Sequence, residues 1–399
     1  MNSVTILGLG YIGLPTSALI ASKGINVNGV DLNPNVVNIL NSGKIHIVEP
    51  DLYFLVKKVV ESGTFKAHTS VVKSDVYVIV VPTPFKGNFE PDISYVEQAT
   101  MSIIPFLKSG DLFIIESTSP VGTTEKIHEI ICGDRPDLID KINIAYCPER
   151  VIPGNIIYEL ENNDRVVGGI NQKSTEAAVE FYSKFVKGKI HKTNSRTAEM
   201  CKLTENASRD NQIAFANELS MICEKAQIDV FELISLANKH PRVNILQPGP
   251  GVGGHCIAVD PYFIVHDFPK ESELIKTSRL LNRKKEKWCL DIIVKNIEQF
   301  ILDHKKIPII GIYGLAFKPN IEDLRESPAQ NIALKLKDMF PEYPILFIEP
   351  NINQHPKLEI TSLNKANELV DLTFILVAHE EFKSLNKSKI TRSFVPIDY

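Results

Sequence analysis

The sequence predicts an α/β protein made of two doubly wound units joined by a long helix. Three observations carry that prediction. A strand opens into a glycine-rich turn and a helix at the N-terminus, residues 196–227 contain neither Gly nor Pro, and a second strand–turn–helix rhythm begins at 307. The chain has 399 residues, 44% apolar and 23% charged, ordinary proportions for a globular protein with room for two or three domains. Its formal net charge is −4 and its basic residues are spread along the chain, so bulk charge predicts no nucleic-acid partner. No segment approaches the ~20 apolar residues of a membrane span. The N-terminus runs straight into a core strand without a basic leader, so a cytoplasmic setting is expected, with no membrane partner. Six cysteines include no CxxC pair and read as reduced thiols.

Val4-Thr5-Ile6-Leu7 is a β-branched run of the kind that forms a buried parallel strand. It opens into Gly8-Leu9-Gly10-Tyr11-Ile12-Gly13. A helical pattern follows from about Leu14 to Ser22, and a strand over Ile25–Val30 ends in Asp31. Gly8 suits a tight turn, Gly10 a backbone that approaches a pyrophosphate, and Gly13 close packing of helix on strand. Asp31 lies 21 residues beyond Gly10, where an acid binds ribose hydroxyls and repels a 2′-phosphate, so NAD is expected rather than NADP. Strands over 75–81, 111–115 and 142–146 end in Pro82-Thr83-Pro84, Glu116-Ser117-Thr118-Ser119-Pro120 and Cys147-Pro148-Glu149-Arg150. Ligands of open α/β sheets bind beyond the carboxyl ends of the strands, which puts Thr83, Thr118 and Glu149 along one edge. Taken singly, each also suits a turn or a cap.

Residues 196–227 read as one helix of about 45 Å, too long for one small sheet and suited to a spine between two units. Lys202, Asn206 and Asp210 repeat on it every four residues, a polar stripe for which a solvated face is the plainer explanation. After a break at 239–242 comes a loop in which two prolines and four glycines fall within 248–254, excluding helix or strand. It ends at Cys256, four residues before Asp260, and a thiol so placed is a candidate nucleophile. Cys132, Cys147, Cys201, Cys223 and Cys289 sit in apolar helix or strand contexts and read as packing residues. His255 adjoins Cys256, but neighbouring side chains point apart, so no Cys–His dyad follows. No second Cys or His stands at a zinc spacing, and no metal is expected. A charged amphipathic helix over 272–300 leads to strands at 307–313, 345–348, 372–377 and 394–397. The turn after the first of these, Gly314 to Pro319, and the loop through Arg325 place Lys318 and Arg325 before a helix that starts near Ser327. That is a natural place for a diphosphate, or else plain surface charge. The expected division is 1–195, 196–300 and 301–399.

Eight blocks run in order along nearly the whole chain: GLGYIGLP (8–15), GKIHIVEPDL (43–52), VPTPFKG (81–87), ESTSPVGTTEK (116–126), YCPERVIPG (146–154), NSRTAEMCKLTEN (194–206), HPRVNILQPGPGVGGHCIAVDP (240–261) and GLAFKPNIEDLRESPA (314–329). Together they resemble the UDP-sugar 6-dehydrogenases, the family of UDP-glucose dehydrogenase. The resemblance implies two Rossmann-like domains joined by a helical dimerisation domain, NAD as cofactor, a UDP-sugar substrate, and a homodimer or higher homo-oligomer. It implies an NAD site of Gly8, Gly10, Tyr11, Ile12, Gly13, Asp31, Thr83 and Thr118, with Arg325 near the cofactor. It implies Cys256 as the catalytic thiol, Lys202, Asn206 and Asp260 as a water and oxyanion group, and Glu149 as an acid of thioester hydrolysis. For the substrate it implies Glu149, Arg150, Val151, Lys202, Asn206, Arg209, Gly253 and Lys318, with Arg242 reaching a neighbouring subunit's substrate. The implied reaction takes a C6 alcohol to a carboxylate and consumes two NAD+. The segments His46–Pro50 and Arg242–Ile245 favour an N-acetylmannosamine sugar by resemblance alone, and N-acetylglucosamine, N-acetylgalactosamine and glucose stay open. The tail of the longer relatives is shortened after Tyr399, so contacts from it are expected to be missing. A one-step hydroxyacid dehydrogenase or a non-catalytic nucleotide-sugar sensor would leave Cys256 without a use.

Overall fold

Short runs of β-branched and aromatic residues make the first sheet: β1 (Ser3–Leu7), β2 (Asn26–Val30), β3 (Phe65–His68), β4 (Val76–Ile79), β5 (Leu112–Ile115), β6 (Asn143–Tyr146), β7 (Arg165–Gly169) and β8 (Ile190–Asn194). The computed structural model describes residues 2–87, 89–152, 154–254 and 256–397. Its chain divides into two units, Met1–Thr204 and Glu205–Tyr399. In the first, the strand order is β8-β7-β6-β5-β4-β1-β2-β3. All neighbours are parallel except β6 and β7. β4, β5 and β6 are buried along their whole length, as parallel strands covered on both faces must be. Alternate residues serve opposite faces: Val76 and Val78 pack with Leu14 and Leu19 of α1 (Gly13–Ser22), whereas Tyr77 and Ile79 pack with Val96, Phe113 and Ile127. The order reverses between β1 and β4, which opens a crevice at their carboxyl ends. A further helix, α2 (Gln172–Tyr182), follows β7 and packs on β6, β7 and β8.

The Gly- and Pro-free stretch is a single helix, α3 (Ser195–Ala226), whose residues from Glu205 on belong to the second unit. That unit continues with α4 (Val230–Ala237), α5 (Asp260–Asp267) and α6 (Glu273–His304). A four-stranded parallel sheet follows in the order β10-β9-β11-β12, from β9 (Ile310–Tyr313), β10 (Ile345–Ile348), β11 (Leu372–Ile375) and β12 (Arg392–Ser393). Cys289, Ile293 and Ile297 of α6 and Ile332 and Leu336 of α7 (Pro328–Met339) pack on Ile310, Ile312 and Phe374 of this sheet.

Three strands, β3, β7 and β8, were not legible. β7 carries an arginine and ends in two glycines, and β8 is a half-polar edge. The last strand lies at 392–393 rather than 394–397: the Val395 amide turns back to Ser393 Oγ at 3.4 Å and Pro396 has no amide to give a ladder. Cys147, Cys223 and Cys289 are buried as expected, but Cys132 and Cys201 are partly exposed, at the borders of amphipathic helices.

The polar stripe on α3 is not a solvated face. Asp210 is fully buried, and its Oδ1 accepts from Arg279 Nη1 at 2.5 Å and Asn282 Nδ2 at 2.8 Å, both on α6. Asn282 Oδ1 accepts from Asn217 Nδ2 at 2.9 Å, and Asn217 Oδ1 accepts from the amide of Gly249 at 2.9 Å. Burial pushes the Asp210 carboxyl up, and Arg279 and Asn282 pull against that push. Replacing Arg279 by Met is expected to cost about 3–5 kcal/mol of unfolding free energy, because a buried carboxylate loses its counter-charge. The double variant with Asp210→Leu is expected to recover part of that loss in the same denaturant titration.

Candidate active site

The first-unit turn is built by backbone contact. Gly8 has φ +94°, and a Cβ on it would lie 2.4 Å from the Val80 carbonyl oxygen. A Cβ on Gly13 would lie 1.8 Å from the carbonyl oxygen of Gly8 itself, which is the close helix–strand approach the motif requires. A Cβ on Gly10 would meet nothing within 4 Å, so that residue faces open space above the turn. Helix α1 begins there with no side-chain cap and no acid in its first turn, leaving its amides to face an anion. Asp31, at the end of β2, accepts from the amides of Leu9 at 3.2 Å and Asn33 at 2.9 Å and stays half-exposed. Tyr11 is exposed and Ile12 half-buried beside the turn. Thr83 and Thr118 follow β4 and β5 and are half-buried. Ser117 Oγ donates to the Val81 carbonyl at 2.7 Å and ties those two strand ends together. An open glycine, an uncapped helix and a strand-end acid fit a dinucleotide.

On the same sheet edge, Glu149 follows β6 and is buried. Its Oε1 accepts from the Arg150 amide at 2.6 Å, its Oε2 from Arg165 Nη1 at 2.9 Å, and its carbonyl from Lys202 Nζ at 2.7 Å. Arg150 and Val151 are half-buried, and Val151 packs on the core. The loop is shaped from a distance by Glu49, which accepts from the amides of Gly154 at 3.0 Å and Ile156 at 2.8 Å. Arg165 was not legible as a site neighbour. Its only signal was a cation inside an otherwise apolar, strand-like run.

In the second unit the glycine-rich loop packs on the turn after β9. A Cβ on Gly253 would lie 2.6 Å from the Glu326 carbonyl oxygen and 2.7 Å from Phe317 Cβ, so no larger residue fits without displacing backbone. The Gly254 amide donates to the Arg325 carbonyl at 3.0 Å. Cys256 is half-buried, and its carbonyl accepts from the amides of Val259 at 3.0 Å and Asp260 at 2.8 Å, the turn that starts α5. Asp260 is a buried carboxylate in the first turn of α5, where the helix dipole favours a negative charge. Asn206 Nδ2 donates to its Oδ2 at 2.6 Å. His255 lies outside the described residues. Arg209, Arg242 and Lys318 are exposed, and Arg325 grips Asp323 with bonds of 2.6 to 3.0 Å. The acid that ends β10, Glu349, corresponds to Asp31 in position, yet it is sealed. Its Oε2 accepts from the amides of Leu315 at 2.7 Å and Ala316 at 2.9 Å and from His379 Nε2 at 3.0 Å.

The glycine geometry separates two roles. Gly13→Ala is expected to destabilise the fold by about 1–3 kcal/mol or more, because backbone cannot yield. Gly10→Ala is expected to leave thermal unfolding within a degree or so of the parent while dinucleotide affinity, measured by titration calorimetry, falls at least about tenfold. Residues 2–186 match the NAD binding domain of the UDP-glucose/GDP-mannose dehydrogenase family, 196–284 its central domain and 311–397 its UDP binding domain. A UDP-N-acetyl-D-mannosamine dehydrogenase of Campylobacter jejuni is 50% identical over 98% of each chain. An NDP-N-acetyl-D-galactosaminuronic acid dehydrogenase of Ralstonia nicotianae is 47% identical over 100% of this chain and 95% of that one. The solved UDP-D-ManNAc dehydrogenase of Pyrococcus horikoshii superposes with a TM-score of 0.89 at 36% identity, over 100% of this chain and 96% of its own. With all three domain models matched in order and full-length relatives at half identity, the chain belongs to the UDP-glucose/GDP-mannose dehydrogenase family.

Proposed function

We propose that this dehydrogenase oxidises C6 of UDP-N-acetyl-D-mannosamine to the uronate in two steps through a Cys256 thioester. The observation that carries the two-step chemistry is the Cys256 turn, which sets a thiol one helical turn before Asp260, itself held by Asn206. The name of the relatives at half identity supports the sugar. NAD+, when bound, supplies the hydride acceptor for both oxidations. The second oxidation needs a tetrahedral carbon, because an aldehyde has no hydride to give until a nucleophile adds. Cys256 Sγ adds to C6 and makes a thiohemiacetal. Lys202, with one of its three donors on the Glu149 carbonyl, and Asn206, one turn further along α3, stabilise the oxyanion. Water oriented by Glu149 or Asp260 then cleaves the thioester and returns the thiol.

On this reading the chain works as 1–195 for NAD, 196–300 for the thiol and the subunit contact, and 301–399 for the nucleotide sugar. Gly253 and Lys318 meet the sugar nucleotide, with Arg150, Val151 and Arg209 beside it, and Arg325 lies near the cofactor. A homodimer is supported by Phe215 and Ile222, seven residues apart on α3 and both more than half exposed, and a second copy covers them and receives Arg242. No helix among the described residues is long and apolar enough to cross a membrane, and a thiol nucleophile that must stay reduced suits the reducing cytoplasm. A second reading, oxidation of the galactosamine epimer, is favoured by the 47% identical Ralstonia relative.

NADH counted against a panel of UDP-sugars tests both. Two equivalents from the mannosamine sugar alone support the first reading, and two from the galactosamine sugar alone support the second. One equivalent from any sugar would make this a simple alcohol dehydrogenase. Cys256→Ser is expected to abolish steady turnover and stall before the acid is released, and unchanged production of two NADH by that variant would refute the thiol's role. Lys202→Ala is expected to lower kcat by about 10²–10³, as for other single oxyanion donors. A change confined to KM would make Lys202 a binding residue instead.

A further inference from the structure

Behind the Glu149 loop lies a buried group of ionisable side chains, of which the steps above use only Glu149. Glu116 follows β5, Cys147 and Glu149 follow β6, Arg165 stands on β7 and Tyr182 ends α2. All five are less than a tenth exposed. Tyr182 Oη donates to Glu116 Oε1 at 2.5 Å, and Glu116 Oε2 has no hydrogen-bond partner. Arg165 holds Glu149 Oε2 at 2.9 Å, donates to the Leu160 carbonyl at 3.3 Å, and lies 5.5 Å from the centre of the Tyr182 ring. Two buried carboxylates therefore lie within the field of one guanidinium, which hydrogen-bonds Glu149 and not Glu116.

We propose that Arg165 and Glu116 are positioning residues of the reaction: Arg165 holds the Glu149 carboxylate aimed, and the protonation of Glu116 decides whether Arg165 serves Glu149 alone. The inference rests on the reading of Glu149 as the group that orients the hydrolytic water.

The hydrogen bonds of the two acids differ. Glu149 has a guanidinium and a backbone amide on its two oxygens, whereas Glu116 has one neutral hydroxyl and one bare oxygen. A second carboxylate beside the same cation would leave a net buried negative charge, which is costly. The remaining groups do not titrate near neutrality. Burial pushes the Cys147 thiol up to about 12 and Tyr182 well above its usual value. Burial works to lower Arg165, but Glu149, Cys147 and Glu116 outweigh it and raise it. Burial also pushes Glu116 up to about 7, against the pull of Arg165 and with a further push from Glu149. Below that pH Glu116 is neutral and Arg165 serves Glu149 alone. Above it, Glu116 competes for the same guanidinium, and the residue whose carbonyl anchors Lys202 loses its exclusive counter-charge.

Two variants test this in the full-length enzyme with NAD+ and UDP-N-acetyl-D-mannosamine. The wild-type kcat profile is expected to show an inflection near pH 7 that is missing from Glu116→Gln, which keeps the size of the side chain and an acceptor for Tyr182. In Arg165→Lys, rapid mixing is expected to keep the burst of two NADH per site, since both oxidations precede hydrolysis. Its steady rate is expected to fall about 10–100-fold, part of what a positioned base supplies. A purely structural role would lower burst and steady rate together. An inflection retained in Glu116→Gln, or burst and steady rate falling in proportion in Arg165→Lys, overturns the proposal. A wild-type enzyme that yields fewer than two NADH per sugar overturns the functional reading itself, and this inference with it.

Discussion

The buried ion pair between Asp210 and Arg279 is the interaction on which the geometry of the second unit depends. It joins the two longest helices, α3 and α6, at one register, and Asn282 and Asn217 extend it to the amide of Gly249 at the entrance of the cysteine loop. The other end of that loop is held by Asn206 on Asp260. One helix therefore grips the loop before and after Cys256, with Asn206 three turns from Asn217. A buried ion pair is a poor source of net stability, since desolvation offsets most of its attraction. Its consequence here is register. A slip of α3 by one residue would turn Asn206 away from Asp260 and Asn217 away from Gly249 together.

The two sheets show how one turn geometry serves two ends. In the first, the acid after the second strand accepts two amides and still faces solvent, and the adjoining helix has no cap. In the second, Glu349 holds the turn amides and His379, whose Nδ1 accepts from the Asn320 amide, so that its Nε2 carries the proton toward Glu349. Burial alone would raise that carboxyl, but His379 and the two amides hold it below the usual carboxylate range. An acid so occupied cannot serve a ribose. The second turn is a packed foundation for the loop through Arg325, against which Gly253 and Gly254 lie.

Much of this was legible in the sequence because it depends on backbone. Gly8, Gly10 and Gly13 announce a turn that side chains would block, and the glycines of 248–254 announce a loop pressed against another segment. The long helix was legible from the absence of Gly and Pro. What stayed hidden depends on pairings distant in sequence. Asp210 reads as surface from its neighbours in sequence, because its partner Arg279 stands 69 residues away. Glu49 shapes a loop 105 residues further on. Arg165, within a short apolar strand, gave no sign of the carboxylates it separates, because nothing local records which strand ends share an edge.

In the proposed reaction Cys256 carries the sugar between the second oxidation and hydrolysis. Its most direct test is rapid acid quench of a single turnover, followed by mass spectrometry of the peptide that contains Cys256. A transient adduct on that peptide with the mass of the acylated sugar nucleotide is expected, formed with the second NADH and lost with release of the acid. Two NADH formed at full rate with no adduct on that peptide at any time would contradict it.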